Sequence, residues 1–205
     1  MARRSEGVRG TGASTSRSRS HGGRAIKILT RMCVSLDGHV TTADGLPVQL
    51  AFSGWDAGAL GFYELQARCD SVLMGRTTFE PAISAPFWPW GDLAVFVVGS
   101  HRPDGTPEHV VVENDPAHLL ERLRQANKGG DVHLVGGPAT IETYRALGAL
   151  DELRLLVLPI FTHTGRRLTP EVDMDTALAL EDALTWPGGV VELTYRVGGR
   201  VSAPR

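Results

Sequence analysis

Cysteine is scarce in this 205-residue chain: there are only two, Cys33 and Cys69. Both sit inside apolar runs and read as buried free thiols rather than a bridge, which points to the cytoplasm. No His-x-Glu is paired with Pro-Cys-x-x-Cys, so the zinc centre of a nucleobase deaminase is missing. No two histidines stand at metal-ligand spacing, so no metal is expected. No apolar run is long enough to span a bilayer, and no h-region marks a secretory signal. The Gly-x-Gly-x-x-Gly fingerprint of the common dinucleotide fold is also lacking.

What is present is an ordinary globular composition, 42% hydrophobic and 21% charged, with room for one good core. Charge is unevenly spread. Residues 1–24 hold six arginines and one acid among serines and glycines, without periodic apolar positions. They are expected to form a disordered basic tail ahead of a single domain over residues 25–200. That domain side of the chain has 15 basic and 22 acidic residues, formally -7, a poor surface for nucleic acid or a membrane. The tail alone keeps open a reading as a surface anchor.

Along the chain, apolar runs alternate with helical spacing. Ile26–Leu36, Asp70–Gly75, Leu93–Val98, His109–Val112, Asp131–Val135 and Asp151–Ile160 read as strands. Helices are expected over Trp55–Arg68, from Thr77 (with Glu80 at capping-box spacing), from Asp115-Pro116 to about Asn127, and over Ala139–Leu147. Within the first, Leu60, Phe62, Tyr63, Leu65 and Ala67 would face inward, and Asp56 suits its start. Thr176–Trp186 and Val190–Val197 read as a closing antiparallel pair around Pro187-Gly188-Gly189. The sum is α/β: three layers, a mixed but mostly parallel central sheet flanked by helices.

Three strand ends carry the chemistry. Gly75-Arg76-Thr77-Thr78 and Gly136-Gly137-Pro138-Ala139-Thr140 each turn a strand into a helix, aiming unpaired N–H groups and the positive dipole end at one point. Pro138 suits the first helical position. Ser100 and Arg102 follow a third strand. In an open α/β sheet ligands lie beyond the carboxyl ends of parallel strands, so these junctions fit a pyrophosphate, with Arg76 or Arg102 for a further phosphate. Taken singly, each junction also reads as an ordinary tight turn. Asp37-Gly38 likewise reads either as a turn pair or as a proton donor or water-orienter. Asp56 fits an N-cap better than a catalyst, and His39 and His163 read as solvated.

These stretches, in this order, resemble the dihydrofolate reductase superfamily, in the branch of the reductase domain of the riboflavin-biosynthesis deaminase-reductase. The likeness rests on Ser35-Leu36-Asp37-Gly38, on Asp70 through Glu80 (DSVLMGRTTFE), on Val135-Gly136-Gly137-Pro138, and on Leu150 through Arg154 ahead of Leu158-Pro159-Ile160. It implies a dihydrofolate reductase-like fold and NADPH held by Gly75 to Thr78, the turn at Ser100, and Gly136 to Ile141. It also implies a cis peptide between Gly136 and Gly137, and a homodimer. A small heterocyclic substrate, pterin- or pyrimidine-like, would accept hydride at a C=N or C=O carbon. Trp55 and Phe62 would contact it, and Asp37 is the catalytic candidate. Pro81-Ala82-Ile83-Ser84 departs from the Asp-x-Pro-x-Leu-x-x-Arg run of the riboflavin enzyme, which argues against a ribityl phosphate. No acid stands at Gly58 or Ala59, which argues against dihydrofolate. These departures leave open a catalytically silent dinucleotide-binding module.

Overall fold

A computed structural model describes residues 26–169 and 176–200; the basic tail expected over 1–24 lies outside them. Eight strands form one sheet: β1 (Ile28–Ser35), β2 (Cys69–Gly75), β3 (Ala94–Val98), β4 (Val111–Glu113), β5 (Asp131–Gly136), β6 (Glu152–Leu158), β7 (Thr176–Trp186) and β8 (Val190–Arg200). Their order is β4-β3-β2-β5-β1-β6-β8-β7. The first six are parallel, and β8 pairs antiparallel with both β6 and β7. The mixed, mostly parallel dihydrofolate reductase-like sheet is therefore present. Four helices flank it: α1 (Phe62–Arg68), α2 (Arg76–Ile83), α3 (Pro116–Ala126) and α4 (Pro138–Ala146).

The inserted position of β5 organises the rest. It enters between β1 and β2, strands that precede it by dozens of residues, so the carboxyl ends of β2 and β5 become neighbours. α3 and α4 cover one face, where Leu73, Phe96, Leu134 and Tyr144 form a core with Leu119 and Leu123. The Tyr144 hydroxyl is satisfied by the Pro116 carbonyl at 3.2 Å. α2 lies on the other face through Phe79, against Val72, Met74, Val95 and Val97. Each such buried side chain contributes about 1.5–3 kcal/mol of transfer free energy.

Several elements depart from the sequence reading for local physical reasons. The first helix spans only Phe62–Arg68, not Trp55–Arg68. Asp56 Oδ1 accepts the N–H groups of Gly58 and Ala59, closing a turn, and Gly61 stands in the left-handed region at φ 70°. Leu60 and Leu65 are buried as expected, but Tyr63 and Ala67 face solvent. The capping box does not form: Gly75 is the N-cap of α2, and Glu80 pairs with Arg76 one turn back. Pro81 lies inside that short helix rather than ending it. At α3 the expectation holds, with Asp115 capping the N–H groups of Ala117 and His118. In the loop after α2, Phe87-Trp88-Pro89-Trp90, Trp88 packs edge-on against Phe79 at 6.3 Å, Trp90 joins the same cluster, and Phe87 projects outward.

His39 is buried, 6% exposed, contrary to the solvated reading: the turn after β1 folds it back under the chain. Cys33 and Cys69 are free and buried, and burial raises their thiols to about 12 and about 11, which keeps them protonated and unreactive. Among the described residues no helix is long and apolar enough to cross a membrane.

His133, in the middle of β5, keeps some exposure, but its Nε2 is sealed without a partner. Burial, with the Arg31 charge nearby, lowers it to about 4. The unfolded chain binds this proton near pH 6.5, so stability falls as pH drops from about 6.5 to 4. The loss should approach about 3 kcal/mol at the low end. Urea titrations across that window should show the decline in the native chain and a flatter profile in His133→Gln.

Candidate functional site

The junctions after β2 and β5 meet. In the ladder Met74 stands opposite Gly136, so the two elbows leave the same edge of the sheet from adjacent strands. A Cβ on Gly75 would run into the Thr140 hydroxyl, and one on Gly137 would stand 3.7 Å from Thr78 Oγ1. Residues of each elbow therefore face the other. Gly136 has φ +123°, a conformation only glycine adopts readily, and the Gly136–Gly137 peptide is cis, as the resemblance implies. The third junction adjoins the first: a Cβ on Gly99 would lie 2.9 Å from Arg76 Cβ. The Gly75, Gly99 and Gly136–Gly137 turns thus form one furrow at the carboxyl edge.

The sheet opens beside it. β1 pairs with β5 only at Ile28 and Leu29, whereas it follows β6 from Leu29 to Ser35. Beyond Leu29 the two strands part, and Met32 of β1 lies near Gly136, its Sδ 3.5 Å from where a Cβ would be. A split between parallel strands next to two helix N-termini, where the strand order reverses, is where an open α/β sheet takes a ligand. The first-turn N–H groups of α2 (Arg76, Thr77, Thr78) and Ala139 N–H of α4 have no intrahelical acceptor and point to this edge. Pro138 occupies the first position of α4 and has no N–H to offer.

The chain belongs to the RibD C-terminal domain family. That family's model matches residues 26–191, most of the chain. YwjB of Bacillus subtilis (strain 168) is 28% identical over 171 residues, 82% of this chain and 97% of YwjB. Among solved structures, a putative riboflavin biosynthesis protein from Shewanella sp. PV-4 superposes with a TM-score of 0.70 at 21% identity, covering 85% of this chain and all of that one. A pyrimidine reductase-like protein from Corynebacterium diphtheriae gives 0.62 at 15%, covering 84% of this chain and 92% of that one. At these identities the structural likeness speaks for the RibD-type fold.

Within this RibD-type domain the expected residues fall into three groups. Gly75, Thr78, Gly136, Gly137 and Thr140 converge, Thr77 and Ala139 lie exposed beside them, and Ile141 turns its side chain into the core, leaving only its backbone at the furrow. Ser100 is exposed, its hydroxyl 3.4 Å from His101 Nδ1. Arg76 is tied to Glu80. Arg102 donates to the carbonyls of Val110 (2.9 Å) and Pro107 (2.6 Å), pinning the loop before β4. Arg102 therefore shapes that loop and keeps its charge, since its partners are neutral carbonyls.

Trp55 and Phe62 do not face the furrow. Their rings meet edge-on at 5.2 Å in a cluster with Val48, Phe52, Leu156, Leu158, Val190 and Trp186. No motif points to what lies beneath them. Arg31, in the middle of β1, is fully buried and held by Glu192 of β8 through two 2.8 Å hydrogen bonds. Its guanidinium lies 4.4 Å from the Phe62 ring centroid, and Trp186 Nε1 donates to the same carboxylate. The only signal was an arginine inside an apolar strand, which names no partner.

Asp37 sits at the carboxyl end of β1 but is occupied. It accepts the N–H groups of Thr162 (3.2 Å) and His163 (2.8 Å). The Ser35 hydroxyl, followed by those N–H groups, holds its carboxyl well below the usual range, so it stays ionised at neutral pH. It anchors the loop after β6. Two clefts lie away from the elbows, and Arg31, Trp186 and Glu192 line the second of them. One, of about 720 Å³, is at the amino edge beside Cys69, Asp70 and Ala94; the other, of about 590 Å³, runs between α1 and the β7–β8 pair. Neither is lined by an elbow residue. The N-termini of α2 and α4 border the elbows, and backbone donors of that kind suit a diphosphate.

The geometry separates two substitutions. Gly75→Ala forces Thr140 aside and should lower stability by about 1–3 kcal/mol. Gly137→Ala, with φ -78° and its nearest neighbour 3.7 Å off, should unfold within about half a kcal/mol of the native chain. Paired denaturant titrations compare them.

Proposed function

We propose that this protein is an NADPH-dependent reductase of a small heterocycle, pterin- or pyrimidine-like, acting at a C=N or C=O carbon. What carries the reading is the convergence of the Gly75 and Gly136–Gly137 elbows beside the split between β1 and β5. Thr140 closes over Gly75, but at Gly137 nothing stands closer than 3.7 Å to where a Cβ would be, and room on that side fits a bulky diphosphate. In this reading the α2 N–H groups, Gly137 and Ala139 N–H bind the diphosphate. Thr77, Thr78 and Ser100 add hydroxyls, and Arg76 and Arg102 supply positive charge at the rim. Family membership and the name of the pyrimidine reductase-like neighbour support the same class of chemistry. Bound there, the reduced nicotinamide supplies a hydride. The chain's own work is to orient the ring at the split, exclude water and deliver a proton.

Calorimetric titration tests this. Saturable NADPH binding below millimolar is expected, and Gly137→Ala should weaken it about tenfold or more, roughly 1.4 kcal/mol, without loss of fold. Absence of binding by the native chain ends the reading. A silent module would bind NADPH and oxidise none across pterins, pyrimidines and quinones.

We also propose that two copies associate through β7. That edge strand is exposed along both faces, with Leu178, Leu180 and Leu184 each about half exposed, and long apolar edges invite pairing. Leu178 and Leu180 stand opposite Val197 and Tyr195 of β8. Sedimentation at micromolar concentration should give a dimer, and Leu178→Glu with Leu180→Glu a monomer; a monomeric native chain refutes the proposal.

A further inference from the structure

The turn that ends β1 gathers groups that neither the cofactor bed nor the core uses. Ser35 Oγ accepts the His39 N–H at 2.9 Å and lies 3.4 Å from the Thr162 hydroxyl. Asp37 Oδ2 is 3.2 Å from His39 Nδ1. That nitrogen is sealed from solvent and has no other acceptor, although the carboxylate sits off the axis of a full hydrogen bond. No hydrogen bond engages Nε2 among the described residues, and it is not one of the sealed atoms. The loop after β6 is zipped to this turn: Val40 N–H donates to Arg166 O, Arg166 N–H to Thr41 Oγ1, and His39 forms a bridge with Arg167. The charged and titratable groups around the ring are thus Asp37 on its own turn and His163, Arg166 and Arg167 on the facing loop.

A reductase that adds hydride to carbon must also protonate the neighbouring heteroatom. Asp37 has no proton to give. We propose that His39 gives it, through Nε2, with Asp37 as the positioning residue; this rests on the reductase reading above. A carboxylate at Nδ1 fixes the tautomer and leaves Nε2 as the exchanging position. The balance is simple: the C=N or C=O carbon gains the hydride supplied by the reduced cofactor. The nitrogen or oxygen gains the Nε2 proton, and the neutral imidazole is reprotonated by water. The site lies at the same carboxyl edge as the split, on the strand that borders it.

Long-range proton–nitrogen NMR of the full chain reads this without a substrate. The neutral His39 ring should carry its proton on Nδ1, and Asp37→Asn should let the Nε2-protonated tautomer appear. Saturation with NADP⁺ should move the His39 ring signals together with the Gly75 and Gly137 amides, while His109, at the amino edge, stays still. A proton on Nε2 in the neutral ring, a tautomer indifferent to Asp37→Asn, or moving amides with a still ring each overturns the proposal. If neither amides nor ring move, the cofactor reading has failed and takes this one with it. In turnover, His39→Gln should cut kcat about a hundredfold and erase its alkaline limb, with KM for NADPH unchanged. An amide spectrum retained by His39→Gln shows the fold intact, and an unchanged pH profile in that variant refutes the role.

Discussion

The parting of β1 from β5 is the constraint on which the rest depends. Parallel neighbours normally stay paired along their length, and here the ladder stops after Leu29 while β5 stays zipped to β2 as far as Gly136. The open side of that fork needs walls. The Gly136 elbow, with Met32 facing it, supplies one, and the β1–β6 ladder running to Ser35 holds the other rigid. Hydrogen-bonded strands thus hold the gap on both flanks.

Two buried polar arrangements keep the neighbouring layer in register. Arg31 and Glu192 join β1 to β8 across β6, and Phe62 and Trp186 lie on the paired charges. Such a pair adds little net stability, because desolvation offsets most of its attraction, but it leaves few alternatives for how α1 and β8 meet. At the other end Asp37 ties the loop after β6 to the turn after β1. Both keep the surroundings of the fork fixed. Phe62 belongs to the first arrangement, and Trp55 packs edge-on against it.

The strands, the α3 cap at Asp115 and the two strand–glycine–helix junctions were legible because each is written in a few consecutive residues. Periodicity and turn chemistry act over that range. The overlong first helix was misread for the same reason: apolar spacing from Trp55 outweighed Gly54, Gly58 and Gly61, although three glycines and an aspartate in eight residues favour turns. The capping box at Thr77 failed because Arg76 offers Glu80 a charged partner closer than the backbone.

What the sequence determined by itself was therefore local: element types, the glycine elbows, the acidic body and the absence of any metal-ligand spacing. Strand order was decided only in three dimensions, since nothing near Gly75 specifies that β5 will lie beside it. The burial of His39 depended on a loop more than 120 residues later, as the Asp37 bonds to Thr162 and His163 show. The Glu192 partner of Arg31 lies 161 residues away. Contacts of that kind form when the sheet closes, and hydrophobic pattern and turn chemistry leave the choice of distant partner undetermined.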